Sequence, residues 1–302
     1  MNAGSLRLIA GLAAITLSAA ASGAGCPPSG ADRASLDALK AVQFEVADDA
    51  RRQSLALTLL PCLSSTDPVL RDGIAFEAYS TWLRANQLNL ATRAELLTQL
   101  RRMLRAEPAD APGFRQPFAA LVLSEVARTD RIAAWMSAAQ RAQLIDDAAA
   151  YLPSVKDYRG FIAVEGWRHG VAHGSDLVTQ LVLNAAVDRA AVDKLLAAVA
   201  TQVTPAGEHA YVDGESERLA RPVMFAAQRG LYTAAEWEKW LLAVAAPAPL
   251  PDWEAAYQSR AGLAKRHNLM GFLNALYVNA LESGNANMEL LVPGLKAVFQ
   301  TL

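Results

Sequence analysis

Residues 65–83, STDPVLRDGIAFEAYSTWL, contain the clearest helix signal in the chain. Ser65, Thr66 and Asp67 can supply a helix cap, and Pro68 stands in the first turn, where its missing N–H group has no helical partner to lose. An apolar stripe follows along the stretch, formed by Leu70, Ile74, Tyr79 and Leu83. This pattern predicts a helix over residues 69–83 that packs through one face.

Similar apolar spacing continues through nearly the whole chain after residue 34, and the strict alternation typical of strands is almost absent. Turns rich in Pro, Gly or Asp, such as ADAPG at residues 109–113, separate the apolar segments. The predicted helices cover residues 35–46, 49–60, 69–83, 91–105, 114–128, 138–152, 161–183, 190–203, 217–229, 234–244, 253–281 (with a break) and 288–299.

The composition and the short connections define the expected architecture. The 302 residues are 53% apolar and contain no long Gly/Ser, Pro-rich or charged linker, which favours one domain over residues 26–302. Residues 67–72, DPVLRD, are similar to the second helix of a HEAT repeat, although no repeat of fixed period is present. We therefore expect an all-α fold of stacked antiparallel helix hairpins, a HEAT-like α–α superhelix, with a closed helical bundle as the alternative.

Residues 1–25 have the pattern of a secretory signal peptide. Arg7 precedes an apolar run over residues 8–21, and small residues follow through Gly25. The run is too short for an ordinary membrane span, and no later segment is apolar for the length that a span requires. We therefore expect the leader to be removed, the protein to be periplasmic or secreted, and the mature chain to have no transmembrane segment.

The chain contains two cysteines, Cys26 directly after the leader and Cys62. In an oxidising compartment they can form a disulfide. Alternatively, the small residues that precede Cys26 make it a candidate for lipidation, which would anchor the protein to a membrane. Two unpaired thiols are the third interpretation.

The charge of the chain argues against nucleic acid as a partner. The formal charge is −2, and loss of Arg7 with the leader would make it −3. Neutralising a phosphate backbone requires a field of Lys and Arg side chains, which this composition does not provide.

The most unusual stretch runs from Glu165 to Leu177 and reads EGWRHGVAHGSDL. If it is helical, Glu165, His169, His173 and Asp176 lie on one face, because their spacings are four, four and three residues. Two histidines four residues apart can bind one divalent metal, with Asp176 as a further ligand. They can equally serve acid–base chemistry. A hydrogen-bonded structural cluster or a solvated helix face is the third interpretation.

Two neighbouring features complete this candidate site. Gly166, Gly170 and Gly174 recur at every fourth position, which indicates either close packing of another helix or a groove where a ligand meets bare backbone. Glu215, Glu217 and Arg218 stand at a predicted helix start, where capping and a surface ion pair are the simplest roles. If this segment met the histidines across a groove, its carboxylates would complete a metal or acid–base site.

Several motifs together resemble a bacterial protein family named domain of unknown function 2785. They are LRDGIA at residues 70–75, the pair Arg159 and Gly160, the stretch from Gly166 to Leu177, and GESERLA at residues 214–220. Ser175, Ser216 and Arg168 depart from the pattern without removing its polar members. The resemblance implies an all-helical domain and no established activity. The recurring polar set it implies is Arg159, Trp167, His169, His173, Asp176, Glu215, Glu217 and Arg218.

These observations predict a binding module rather than a recognisable enzyme. Stacked helix hairpins commonly present extended binding surfaces, and no complete catalytic signature is present. We expect an unknown protein or small-molecule ligand to bind a polar groove on the helix with His169 and His173. The alternative is a metal-assisted hydrolase or acid–base enzyme in which His169, His173 and Asp176 act with Glu215 or Glu217. A purely structural envelope component is the third interpretation.

Overall fold

The computed structural model describes Met1, residues 25–107 and residues 109–302. The predicted signal peptide therefore lies almost wholly outside the described residues. The α-helices of the described residues are α1 (Arg33–Ala41), α2 (Asp49–Thr58), α3 (Glu77–Arg84), α4 (Leu90–Leu104), α5 (Arg115–Ile132), α6 (Ala138–Ser154), α7 (Gly170–Val182), α8 (Arg189–Val203), α9 (Glu215–Gln228), α10 (Ala234–Val244), α11 (Arg260–Glu282), α12 (Ala286–Glu289) and α13 (Val292–Phe299). A 3-10 helix covers Leu60–Ser64, a π-helix covers Val69–Phe76, and a second 3-10 helix covers Glu254–Gln258.

The helices pack in two layers, and the all-α prediction is confirmed. One layer is the row α3, α5, α7, α9 and α11, in which each helix contacts the next one of the row. The row α2, α4, α6 and α8 forms the second layer, and α10 packs on α13 at the C-terminal end. Helices that follow each other along the chain also touch, as α4 with α5 and α6 with α7. This is the arrangement of an α–α superhelix.

One hydrophobic core runs along the molecule from Leu36 in α1 to Val298 in α13. The helix predicted over residues 69–83 is present, with a π-helical first half that continues into α3. Its stripe residues Leu70, Ile74, Tyr79 and Leu83 are all buried. Among the described residues, no helix combines the length and apolar character needed to cross a bilayer.

The prediction of one helix over residues 161–183 is wrong for its first part. Phe161–Ile162 and Gly166–Trp167 form a two-stranded antiparallel hairpin, and α7 begins only at Gly170. Gly166 and Val164 adopt positive φ, which breaks a helix. Arg71 donates a hydrogen bond of 2.7 Å to the Glu165 carbonyl oxygen, which holds the turn in its non-helical form.

The hairpin changes the position of Glu165. Its side chain lies at the turn and forms an ion pair with Arg168. The expectation that Glu165 shares a helical face with the two histidines is therefore wrong, because the backbone between them is not helical.

The glycines at 170 and 174 allow α7 to approach α6 closely. A Cβ atom at Gly174 would lie 2.8 Å from Leu152 Cδ1, and one at Gly170 would lie 3.2 Å from Val155 Cγ1. Close helix packing, the first of the two readings of this glycine series, is therefore confirmed for these two positions. Gly166 has a different role, because it occupies the hairpin.

Cys26 and Cys62 form a disulfide. The bond attaches the first described residues of the domain to the 3-10 helix Leu60–Ser64, where Cys62 is completely buried. The disulfide, one of the three interpretations of this cysteine pair, is therefore the state of the structure.

Candidate functional site

A groove of about 770 Å³ lies at the middle of the superhelix, where α5, α7 and α9 pack together. Its wall combines aromatic side chains, such as Phe118 and Phe225, with ionisable ones from several elements. Volumes of this size are typical of pockets that bind small organic ligands. We call this feature the central groove.

His169 and His173 both line the central groove. His169 immediately precedes α7 with a left-handed backbone, φ +57°, and His173 follows one turn later. Their rings meet edge to face with 5.6 Å between centroids. Trp167 stacks on the His169 ring at 4.7 Å, and Phe118 contacts the His173 ring edge to face at 5.3 Å. The two imidazoles are therefore held between aromatic rings, and both are more than nine-tenths buried.

Burial keeps the two imidazoles neutral near pH 7. It is the main cause that lowers the pKa of His169, and the positive charge of Arg218 lowers it further. The pKa of His173 lies well below the usual value, again chiefly because of burial and then because of His169. A neutral imidazole offers one donor and one acceptor nitrogen, as acid–base chemistry or a polar ligand requires.

Three buried polar atoms of the groove wall have no hydrogen-bond partner within the described chain. They are His169 Nε2, His173 Nδ1 and Thr179 Oγ1. An unsatisfied buried polar atom costs about 1–3 kcal/mol of stability. Three of them along one groove indicate a place where a partner from outside the chain can form hydrogen bonds.

The structure brings the predicted segment at the start of α9 to the histidines. Glu215 Oε1 lies 3.7 Å from His169 Nε2, and both side chains are buried. Glu215 also accepts a 3.0 Å hydrogen bond from the Asp213 backbone N–H. Burial is the main cause that raises the pKa of Glu215. A carboxyl group with a raised pKa beside an imidazole with a lowered one can exchange a proton with it.

Asp176 is held by two arginines of α9. Arg218 donates a hydrogen bond to Asp176, and Arg221 Nη1 lies 3.8 Å from its other oxygen. Burial, partly offset by Arg218, raises the pKa of Asp176. The contact between α7 and α9 therefore depends on a charged pair that also lines the groove.

Five of the eight predicted polar residues line the central groove, namely Trp167, His169, His173, Asp176 and Arg218. Glu215 is packed next to His169. Arg159 and Glu217 lie elsewhere: Arg159 pairs with Asp157 beside a smaller cavity, and Glu217 is on the surface.

Several further residues of the groove wall were not predicted from the sequence. Arg221 lies one helical turn after Arg218, so the helix period could have suggested it. Thr179 follows Asp176 at the same spacing. Arg84 and Glu125 form an ion pair in the groove wall. The two residues are 41 positions apart in the chain and belong to different helices, so no local sequence pattern indicates the pair.

No group of three or more His, Cys, Asp or Glu side chains in the described part of the chain is arranged to hold a metal ion. Asp176, the expected third ligand, is bound to Arg218 instead. The divalent metal at His169, His173 and Asp176 therefore stays a prediction, with no preformed ligand set to support it.

A stack of packed α-helices with a polar, aromatic-lined groove on its central helices defines an all-α protein. Comparison with protein families assigns the chain more closely. A family model described as "Protein of unknown function (DUF2785)" matches residues 84–278, and the chain belongs to this family. The matched region includes all eight predicted polar residues. No curated protein and no solved structure shows significant similarity to the chain.

Proposed function

We propose that the protein is an exported binding module that takes a small polar ligand in the central groove. The observation that carries this proposal is the set of three unpartnered buried polar atoms on His169, His173 and Thr179. A small ligand is favoured over a protein surface because the groove is concave and the polar groups lie within it.

The neutral state of the imidazoles supports the same proposal. A polar ligand that binds only the folded state would satisfy their free nitrogens and stabilise the fold by mass action. At a ligand concentration one hundred times its Kd, the gain would be about 2.7 kcal/mol.

A thermal-shift screen tests the proposal. We would measure Tm with neutral sugars, amino acids, carboxylates, nucleosides and inorganic phosphate, and repeat each hit with His169→Asn and His173→Gln. Asn is used at position 169 because it tolerates the left-handed backbone. We expect hits whose Tm shift disappears in both variants.

His267→Gln is the matched control, because His267 is an exposed histidine of α11 that lies outside the groove. Its Nε2 atom contacts the Tyr211 carbonyl oxygen. This variant should retain every hit. The proposal is wrong if no probe shifts Tm, or if the hits persist unchanged in the two groove variants.

Export is the second part of the proposal. The leader pattern of residues 1–25 supports it, and so does the Cys26–Cys62 disulfide, because such bonds persist mainly in oxidising compartments. The disulfide uses the sulfur atom that lipidation of Cys26 would need. We therefore favour a soluble periplasmic or secreted form over a lipid-anchored one.

An acid–base enzyme is the second candidate, and the 3.7 Å approach of Glu215 Oε1 to His169 Nε2 favours it. In this case His169 would exchange a proton with the bound molecule, and Glu215 would set its protonation. Glu215→Gln should then abolish turnover of a groove ligand and leave its binding within about twofold. A ligand recovered unchanged after long incubation with the wild-type protein would contradict the enzyme and leave the binding module.

A further inference from the structure

We infer that the ligand of the central groove is a neutral saccharide, with one sugar ring lying against Trp167. This inference rests on the proposed function above and adds the chemical class of the ligand. Three features of the groove carry it: the near balance of its charges, the partly exposed surface of Trp167, and the neutral hydrogen-bonding groups of its wall.

The charges of the groove wall nearly cancel, and six of its seven Arg, Asp and Glu side chains lie in ion pairs. The wall contains the cations Arg84, Arg218 and Arg221 and the carboxylates Asp72, Glu125, Asp176 and Asp213. A fourth guanidinium, that of Arg71, binds Asp72 from within the core. The three cations and four carboxylates of the wall therefore nearly cancel, and a charged ligand would gain little net attraction from them.

An ionic group that binds Arg84, Arg218 or Arg221 would also have to compete with an existing ion pair. Arg84 binds Glu125 through Nε and Nη2, and Arg218 binds Asp176. A hydroxyl group is different, because it donates one hydrogen bond and accepts others at the same atom. Neighbouring hydroxyls can therefore bind the carboxylate and the guanidinium of one pair together, with the strength of charge-assisted hydrogen bonds.

Trp167 provides a flat apolar surface beside these pairs. It is 39% exposed and lines the groove, whereas Trp82, Trp237 and Trp253 are buried in the core. An aromatic ring with a large apolar surface suits the C–H face of a sugar ring, while the hydroxyls of the sugar reach the polar wall.

The Trp167 ring is fixed in place before any ligand binds. His169 stacks on it at 4.7 Å, and Phe161 contacts it across the hairpin at 5.2 Å. Asp213 accepts a hydrogen bond of 3.3 Å from the Phe161 N–H, and Arg71 binds the hairpin turn. A surface fixed in this way loses little conformational freedom on binding, which favours affinity.

The neutral polar atoms complete the match. His169 Nε2, His173 Nδ1 and Thr179 Oγ1 are buried and unpartnered. These neutral donors and acceptors can bind the hydroxyl groups of a sugar. They would not offset the cost of removing a charged ligand group from water.

Isothermal titration calorimetry of the mature protein tests the inference. The neutral probes are maltotriose, cellotriose and N,N′,N″-triacetylchitotriose. The charged probes are a glucuronate-containing trisaccharide, unacetylated chitotriose, glutamate and inorganic phosphate. We expect at least one neutral trisaccharide to bind, and every charged probe to bind at least tenfold more weakly.

Variants locate the binding. We expect Trp167→Ala to weaken the neutral trisaccharide at least tenfold and Trp167→Phe to weaken it less, because a phenyl ring keeps part of the stacking surface. Arg221→Gln, a half-exposed position that should not affect folding, should also weaken it. Trp240→Ala is the matched control, because Trp240 is a half-buried tryptophan of α10 outside the groove.

The outcomes separate this inference from the proposed function. If a charged probe or another class of ligand binds in a manner that His169→Asn abolishes, while no neutral trisaccharide binds, the saccharide is wrong and the binding module stands. Equal affinities for Trp167→Ala, Arg221→Gln and Trp240→Ala would also overturn the saccharide. If neither these probes nor those of the thermal-shift screen bind, both proposals fail.

Discussion

At the scale of single residues, the behaviour of His173 follows from its surroundings. The ring lies against Phe118, 5.3 Å away between centroids, and its Nδ1 atom has no partner among the described residues. Removing a charged imidazolium from water without a compensating carboxylate is unfavourable, so the folded state holds the ring neutral.

This difference in pKa between the folded and unfolded chains predicts a loss of stability in acid. Below about pH 6.5 an unfolded His173 binds a proton that the folded residue does not bind. The free energy of unfolding should therefore fall as the pH falls below 6.5, by about 1 kcal/mol per pH unit for one such residue. Urea unfolding of wild type and His173→Gln between pH 7.5 and 5.5 measures the effect.

The difference between the two proteins isolates the histidine. Asp176 and Glu215 have raised pKa values, so they act in the opposite direction, but they are present in both proteins. The expected result is a shallower loss of stability in His173→Gln. Parallel pH profiles would show that folded His173 titrates normally.

Arg71 is the second residue whose role can be tested directly. It is completely buried, and it donates hydrogen bonds to the carbonyl oxygens of Ser65 and Glu165 and to the carboxylate of Asp72. Its guanidinium also lies 3.8 Å from the centre of the Phe114 ring. Lysine has a compact ammonium that cannot reach these acceptors in the same planar arrangement.

We expect Arg71→Lys to lower the free energy of unfolding by about 3 kcal/mol, because it leaves part of a buried polar network unpaired. Arg102→Lys, at an exposed position of α4, is the control and should change stability by less than about 0.5 kcal/mol. Urea denaturation of the two variants measures both values. A loss in Arg71→Lys no larger than that of the control would refute the structural role of the network.

At the scale of elements, the approach of α7 to α6 depends on small residues. Gly174 is in the middle of α7, where Ala would normally improve helix stability by about 1 kcal/mol. However, a Cβ atom there would lie 2.8 Å from Leu152 Cδ1 and 3.1 Å from Tyr151 Cε1. Both side chains are buried, so the neighbours cannot move without disturbing the core.

Gly174→Ala should therefore destabilise the protein by about 1 kcal/mol net, because overpacking outweighs the gain in helix propensity. Gly73→Ala is the matched control in another helical segment. A Cβ atom at Gly73 would meet only the flexible end of Lys40 and a methyl group of Val69, so this variant should be stabilised. Thermal unfolding of both variants gives the two signs. Stabilisation of Gly174→Ala would show that the two helices are less tightly packed than described.

The hairpin before α7 shows how an element can be decided from outside its own sequence. Residues 161–169 carry a helical apolar spacing, but Arg71 binds the Glu165 carbonyl oxygen from 94 positions earlier in the chain. The His169 and Arg168 backbone N–H groups donate to the carbonyls of Arg159 and Gly160. These bonds satisfy the backbone without a helix and position Trp167 over His169.

At the scale of the whole molecule, the disulfide constrains the N-terminal end of the superhelix. Cys26 and Cys62 are 36 positions apart, and closing a loop of this length is expected to stabilise the fold by about 3–4 kcal/mol. A Cys26→Ser/Cys62→Ser double variant should lose this amount in guanidinium unfolding. Equal midpoints and slopes for the variant and the oxidised protein would contradict the stabilising role.

Intact mass spectrometry of the mature protein tests the state of Cys26. We expect a chain without lipid and with a mass lower than that of the fully reduced form by two hydrogen atoms. A diacylglyceryl group on Cys26 would contradict both the disulfide and the soluble form proposed above.

Most of the helices could be predicted from local sequence, because their spacing, caps and breakers are local properties. The predicted break within residues 253–281 lies at Ser259, before α11. The spacing also placed His169, His173 and Asp176 on one side of a segment, and it singled out Glu215, Glu217 and Arg218 as a second polar group without showing that the two groups meet. These residues lie on α7, at its N-terminal boundary, or in the first turn of α9, so a helical period was sufficient to associate them within each segment.

Which polar groups face each other could not be predicted in this way, because it depends on contacts between helices that are distant in the chain. The pairing of Asp176 with Arg218, the approach of Glu215 to His169, and the presence of Arg84 and Glu125 in the groove wall join chain-distant helices. Such contacts depend on how α5, α7 and α9 pack, and a local pattern carries no information about that packing. The same reason explains the hairpin: a bond from the distant Arg71 helps to fix a turn where the local spacing favours a helix.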